Sequence, residues 1–315
     1  MHPALSVIFF TTASGAGYGL LVLLGLGKAF DVVPHELSFG VATIVIALVL
    51  ITTGLLSSTF HLGHPERAWR ALSQWRSSWL SREGVLAIVT YIPILLFAYD
   101  WLLLESVDTA YVLAAILMSL FCLLTIYSTS MIYASLKTVH AWSNHWVPFA
   151  YVSLALMSGS ILINAILLIT GNYLALMSYS SLAFIVIALI IKLSYWRFIR
   201  QTQSLSTAET ASGLGHLGKV SMVQSPHSQD NYLLKEMGYQ IARKHADKLR
   251  RISVMCGFVI PFLLTIITLD GVNMLSLCSS VLALIFCLFG IIVERWLFFA
   301  EAKHTVMLYY GNTSA

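Results

Sequence analysis

His61 and Glu83 stand at the edges of two long apolar runs, one closing the first and the other opening the next. Between them lie Leu62-Gly63-His64-Pro65-Glu66-Arg67-Ala68-Trp69-Arg70 and then Ala71 to Arg82. An ionisable group at membrane depth costs a few kcal/mol to insert, so it tends to be kept for a reason. A histidine and a carboxylate beside apolar helices can hydrogen-bond the carbonyl oxygens of a quinone and pass protons during two-electron redox chemistry. A blander reading stays open beside this one. Ser81 is the expected N-cap of the second helix, so Glu83 would only complement the helix dipole, and His61 would be an ordinary interfacial residue.

The elements that must position these two side chains are transmembrane helices. A span needs about 20 mostly apolar residues, because the hydrocarbon core is roughly 30 Å thick and a helix rises about 1.5 Å per residue. Eight stretches qualify, at about 4–27, 38–60, 84–104, 109–135, 147–170, 173–196, 252–270 and 274–300. The expected fold class is therefore all-α, a polytopic membrane bundle of eight transmembrane helices forming a single domain over 1–315. Spans joined by a loop of about 20 residues can pack side by side, which would bring His61 and Glu83 to one cleft.

Eight spans put both termini on one face, together with the loops at about 61–83, 136–146 and 197–251. Every Lys and Arg except Lys28 then falls on that face, while the opposite loops carry Asp31, Glu36, Asp100, Glu105, Asp108 and Asp270. By the positive-inside rule the basic face, and with it both termini, is cytoplasmic. A composition of 58% hydrophobic and 10% charged residues fits a multi-pass protein, and the net charge of +4 is a by-product of loop bias that does not argue for nucleic acid. The opening Met-His-Pro-Ala-Leu lacks a basic n-region, so no cleavable signal peptide is expected and the first apolar run stays as span one.

Cys122, Cys256, Cys278 and Cys287 all lie inside the expected spans with no C-x-x-C pair, which argues against an iron–sulfur cluster or structural zinc here. There is no Gly-rich phosphate loop, H-E-x-x-H or nucleophile elbow. Gly15-x-x-x-Gly19 offers a smooth stripe for close helix packing. Tryptophans 69, 75, 79, 101, 142, 146, 196 and 296 sit near span ends, as interface anchors do. Lys192 and Arg295 are expected to snorkel. Within the polar insert at 201–251, residues 201–230 read as a flexible loop. From Asn231 through Tyr239 to Arg251, a spacing near 3.6 predicts a basic amphipathic surface helix leading into span seven.

Ser58-Thr59-Phe60-His61-Leu62-Gly63-His64-Pro65-Glu66-Arg67-Ala68-Trp69, Ser81-Arg82-Glu83 and Arg295-Trp296-Leu297-Phe298-Phe299 resemble the membrane anchor subunits of the dimethyl sulfoxide reductase family. The likeness in helix count and order covers the whole chain. In span eight the match is looser, because the acidic Glu294 sits directly beside Arg295 instead of a turn before it. The resemblance implies a three-subunit complex with a four-cluster iron–sulfur subunit and a molybdopterin catalytic subunit on the cytoplasmic face of a bacterial inner membrane. It implies electron exchange with quinone, ubiquinone or menaquinone, and no haem or cluster in this chain. Carried over by position, His61, Gly63, Arg67 and Glu83 would form the quinone site, with Trp69 lining it. Arg67, Arg70 and Arg76 would lie near the iron–sulfur subunit.

Within the family, the N-terminal run to Gly19 and the segment around Asn231–Tyr239 are similar to anchors of cytoplasmic sulfite dehydrogenases, which implies electrons flowing from sulfite to the quinone pool. A quinol-oxidising anchor of a dimethyl sulfoxide or related reductase is the alternative. A dihaem anchor would need facing histidine pairs, and His61, His64, His140, His145 and His304 all gather toward one face, enough for one haem at most. A secondary transporter would show midplane charges or broken helices, which spans three to six hardly carry.

Overall fold

The computed structural model describes residues 3–104, 108–202, 204, 206–224, 226, 229, 237 and 241–312, leaving out the side chains of residue 61 and residues 241–244. Among the described residues, eight helices are long and apolar enough to cross a membrane. Apolar runs of this length must satisfy their own backbone groups in lipid, and a helix does so within each segment. Seven of the spans are carried by single helices: α1 (Leu5–Ala29), α2 (Leu37–Ser57), α3 (Trp79–Leu102), α4 (Thr109–Ala134), α5 (Trp146–Ile169), α6 (Ala175–Gln201) and α10 (Met274–Ala300). The short α7 (Ala208–Ser212) lies in the polar insert. Span seven is composite, with α8 (Ile241–Val254), a π turn at Met255–Val259, α9 (Ile260–Ile267) and a 3-10 turn at Thr268–Asp270.

The most apolar windows of α1 and α5 are 83% buried, against 33–44% in the other six spans, so these two form the axis and the rest surround it. They touch backbone to backbone: a Cβ at Gly19 would strike the Ala155 carbonyl, and one at Gly159 would strike the Gly19 backbone. Gly15 differs, since a Cβ there would meet only the Ala155 Cβ at 4.0 Å. A second close crossing pairs Gly257 of the π turn with Gly290 of α10, and Ser253 donates to the Gly290 carbonyl at 3.1 Å. In lipid such dispersion-rich contacts between small residues replace the hydrophobic drive that holds soluble bundles.

Loop contacts define two faces. On one, Glu36 accepts from Asn172 at 2.7 Å and Tyr173 donates to the Leu269 carbonyl at 2.8 Å. On the other, Trp142 of the α4–α5 loop donates to the Phe298 carbonyl at 2.9 Å, Thr305 binds the Thr138 carbonyl at 3.0 Å, and Arg250 pairs with Glu301 at 2.9 Å. Lys28, the cation that the sequence leaves on the acidic face, is buried there. Its ammonium donates to the Pro34 carbonyl at 2.6 Å and lies 3.8 Å from the Trp101 ring centroid, at a helix C-terminus that favours positive charge.

Three expectations need correction. α3 begins at Trp79, five residues before the apolar run, with Ser78 ahead of it, so Ser81 is not the N-cap. α6 runs on to Gln201, past the expected end at 196. Hydropathy marks where a helix leaves the hydrocarbon, whereas a helix stops where its backbone does. Lys192 and Arg295 do not snorkel: both are buried inside the bundle. Their side chains face inward to a shared carboxylate, that of Glu294. Of the basic helix expected from Asn231 to Arg251, α8 is helical and runs directly into span seven, while Asn231–Glu236 and Gly238–Gln240 lie outside the described residues.

Candidate functional site

α2 packs mainly along α1 and α3 mainly along α4, while α2 and α3 touch lightly, through contacts such as Thr52 Oγ1 to Tyr91 OH at 2.7 Å. The chain between them forms 3-10 turns at Ser58–His61 and Pro65–Gln74, the second without a single buried residue. Pro65 suits the start of such a turn, because its missing N–H would be unpaired there anyway. The segment is fastened to the first turns of α3. Ser81 donates to the Ala71 carbonyl, Arg82 donates to the carbonyls of Trp75 at 3.0 Å and Arg76 at 2.7 Å, and Leu72 sits over Gly84.

Glu83 lies between these fasteners in sequence and points the other way. It is 6% exposed, and Thr129 of α4 places its hydroxyl 2.5 Å from the Glu83 carboxyl oxygen Oε1. The same hydroxyl is 3.0 Å from the Thr125 carbonyl, its own helix neighbour. A hydroxyl has one proton and accepts through its lone pairs. Ionised Glu83 can therefore take that proton as a hydrogen bond, whereas protonated Glu83 can donate to Thr129 while Thr129 turns back to Thr125. Rotation of one C–O bond accommodates either state. Lying beyond the first turn of α3, Glu83 is poorly placed to serve as a dipole complement.

The other expected site residues are in the tethered segment. Gly63 is exposed, with open space where a Cβ would be. Arg67 is exposed and 3.7 Å from Glu66, which also meets His64 at 3.0 Å. Trp69 is 68% exposed, with the Arg70 guanidinium 5.7 Å from its ring centroid. The backbone of His61 ends the first 3-10 turn, and its side chain lies outside the described residues. The structure thus brings the segment to the helix that carries Glu83 but leaves Arg67 and Trp69 facing outward.

Two features escaped sequence reasoning. Behind Thr129 is an internal cavity of about 20 Å³, walled in part by Thr12, Tyr18, Thr129, Tyr151 and Arg295. It has room for about one water molecule, whose partners would be polar groups such as the Thr12 and Tyr18 hydroxyls, and none for an aromatic ring. On its far side lies a buried charge cluster. Lys192 of α6 and Arg295 of α10 both pair with Glu294, the latter at 3.1 Å. The surplus positive charge rests on aromatic faces, with Arg295 3.9 Å from the Tyr151 centroid and Lys192 4.0 Å from that of Tyr195. The available signal was three ionisable residues inside apolar runs.

Eight spans with a buried carboxyl behind a basic, aromatic surface segment define a multi-pass membrane protein. Residues 1–311 match the family described as DMSO reductase anchor subunit (DmsC). In an alignment of 334 positions covering all of both chains, the sequence is 33% identical to a sulfite dehydrogenase subunit of Allochromatium vinosum. The chain belongs to the family of DMSO reductase anchor subunits and is a multi-pass membrane anchor.

Proposed function

We propose that this chain is the quinone-reactive anchor of a sulfite-oxidising molybdopterin and iron–sulfur complex, held on the cytoplasmic side of a bacterial inner membrane. The observation that carries the reading is the Glu83 carboxyl, buried against Thr129 directly behind the tethered segment. Likeness to a sulfite dehydrogenase subunit supports sulfite as the substrate that is oxidised.

Arg67 and Trp69 stand exposed on the tethered segment and Glu83 lies buried behind it, and by residue type the donor set suits a quinone. His61, Gly63, Arg67, Trp69 and Glu83 would hold it, with Trp69 offering an aromatic face, Arg67 a donor fork and Gly63 an unhindered backbone. Bound there, a quinone supplies two-electron, two-proton redox chemistry. The internal cavity is too small for its ring, so the headgroup would meet Glu83 from the side of the tethered segment. Glu83 holds or releases a proton at its carboxyl, and Thr129 follows by rotation. By residue type, His61 would supply a hydrogen bond to a quinone carbonyl oxygen. The exposed Arg67, Arg70 and Arg76 face a four-cluster iron–sulfur subunit, which in turn carries the molybdopterin subunit.

Glu83→Gln tests the reading, since the amide keeps the shape and removes the exchangeable proton. A general acid or base typically contributes about 10²–10⁴-fold, so quinone-coupled turnover should fall by at least about tenfold while activity with a dye that takes electrons from the soluble subunits holds. Normal quinone-coupled rates would move the site elsewhere.

A further inference from the structure

On the basic face, a groove of about 780 Å³ runs between the last turns of α6 and the junction of α8 with the π turn. Its walls carry Arg197, Arg200, Arg250 and Arg251, and at its deeper end Leu193 and Met255, each about half exposed. The walls are pinned together: Arg200 reaches Asp247 at 3.0 Å, and the Arg250 guanidinium lies 6.0 Å from the Trp196 ring centroid. Asp247 and Glu301 offset two of the four guanidinium charges, which leaves two.

We infer that this groove is a binding site for an anionic phospholipid, of the class whose headgroup carries two phosphates. Depth argues for lipid. Leu193 lies seven residues below Arg200, about 10 Å along the helix, whereas the interfacial layer on each side of a bilayer is only about 5–8 Å thick. The groove therefore starts among headgroups and ends among acyl chains, where a soluble protein does not reach. Both walls belong to the outer ring, so lipid has lateral access. Charge matches as well, since two uncompensated guanidiniums face two phosphates, each able to accept paired N–H donors. Basic pockets between spans recognise such headgroups by this chemistry.

The test uses the full chain purified in detergent, stripped of lipid and titrated with cardiolipin while bound lipid is counted by native mass spectrometry. One cardiolipin per chain is expected, with weaker binding of the single-phosphate phosphatidylglycerol and no competition from excess inorganic phosphate. The triple variant Arg197→Gln, Arg200→Gln, Arg251→Gln spares the Arg250–Glu301 pair and should weaken cardiolipin about a hundredfold, from roughly a fewfold to tenfold for each basic residue removed. Leu193→Trp leaves every charge in place and blocks the apolar end, so it should weaken cardiolipin without introducing phosphate competition. Unchanged cardiolipin binding in both variants overturns the proposal. So does displacement by inorganic phosphate, which would make this a free-anion site. If the triple variant binds lipid normally but sheds soluble subunits from membranes, the groove is a protein docking surface and the inference is wrong.

Discussion

The Thr129 hydroxyl on α4 lies 2.5 Å from the Glu83 carboxyl on α3, in the bundle interior, and 3.0 Å from the carbonyl of Thr125 one turn earlier. One rotating proton thus serves either charge state of Glu83. A little deeper, a separate hydroxyl pair, Thr90 and Thr125 Oγ1 at 3.0 Å, ties α3 to α4 again.

Thr129→Val keeps the branched shape and deletes the hydroxyl. A hydrogen bond to a charged group is worth about 1.5–3 kcal/mol, so quinone-coupled turnover should drop roughly ten- to a hundredfold with dye-linked activity intact. Thr129→Ser should restore most of it. Equal loss in the Val and Ser variants would show that packing, not the hydroxyl, matters at this position.

Removing Glu294 strands two buried cations. Glu294→Ala should destabilise the purified chain by about 3–5 kcal/mol, read as a lower unfolding temperature in detergent. Replacing Lys192 by Met, Glu294 by Leu and Arg295 by Met together should be milder, because no buried charge of the cluster is left unpaired. A triple variant as unstable as Glu294→Ala would assign the loss to packing.

The two glycines of the α1 motif should respond differently. Gly19→Ala forces a methyl into the Ala155 carbonyl and should cost at least about 1–3 kcal/mol, or the folded chain altogether. Gly15→Ala adds an ordinary contact and should be tolerated. Size-exclusion profiles of fluorescent fusions in detergent separate the two outcomes, and equal behaviour would contradict the observed crossing.

Docking through the tethered segment should be electrostatic. Arg70→Glu with Arg76→Glu is expected to release the soluble subunits from membranes, more readily as salt rises, since exposed charges are screened over about 8–10 Å. Retention of the whole complex at every salt concentration would place the joint on apolar contacts such as the exposed Phe60, Trp69 and Trp75.

A reporter that is active only outside the cytoplasm, fused to Ala315, should stay silent if the basic face is inside. A strong signal would invert the bundle and move the partner subunits with it.

The number of spans, their approximate limits and the separation of basic from acidic loops were legible in the sequence, because each depends on local composition set against the thickness of a bilayer. So was the close-packing role of Gly19, since a missing Cβ can be read from the chain. What surrounds each polar side chain was not legible. Hydrophobic runs are apolar on every face, so they carry no periodic signal for which side meets lipid and which meets protein. That is why Lys192 and Arg295 read as snorkelling residues, although the bundle turns both inward to Glu294. For the same reason the light contact of α2 with α3, beside the extensive one of α3 with α4, could not be foreseen from the loop that joins α2 to α3. Only the tertiary structure made Thr129 the partner of Glu83, because two residues 46 positions apart become neighbours through the packing of whole helices.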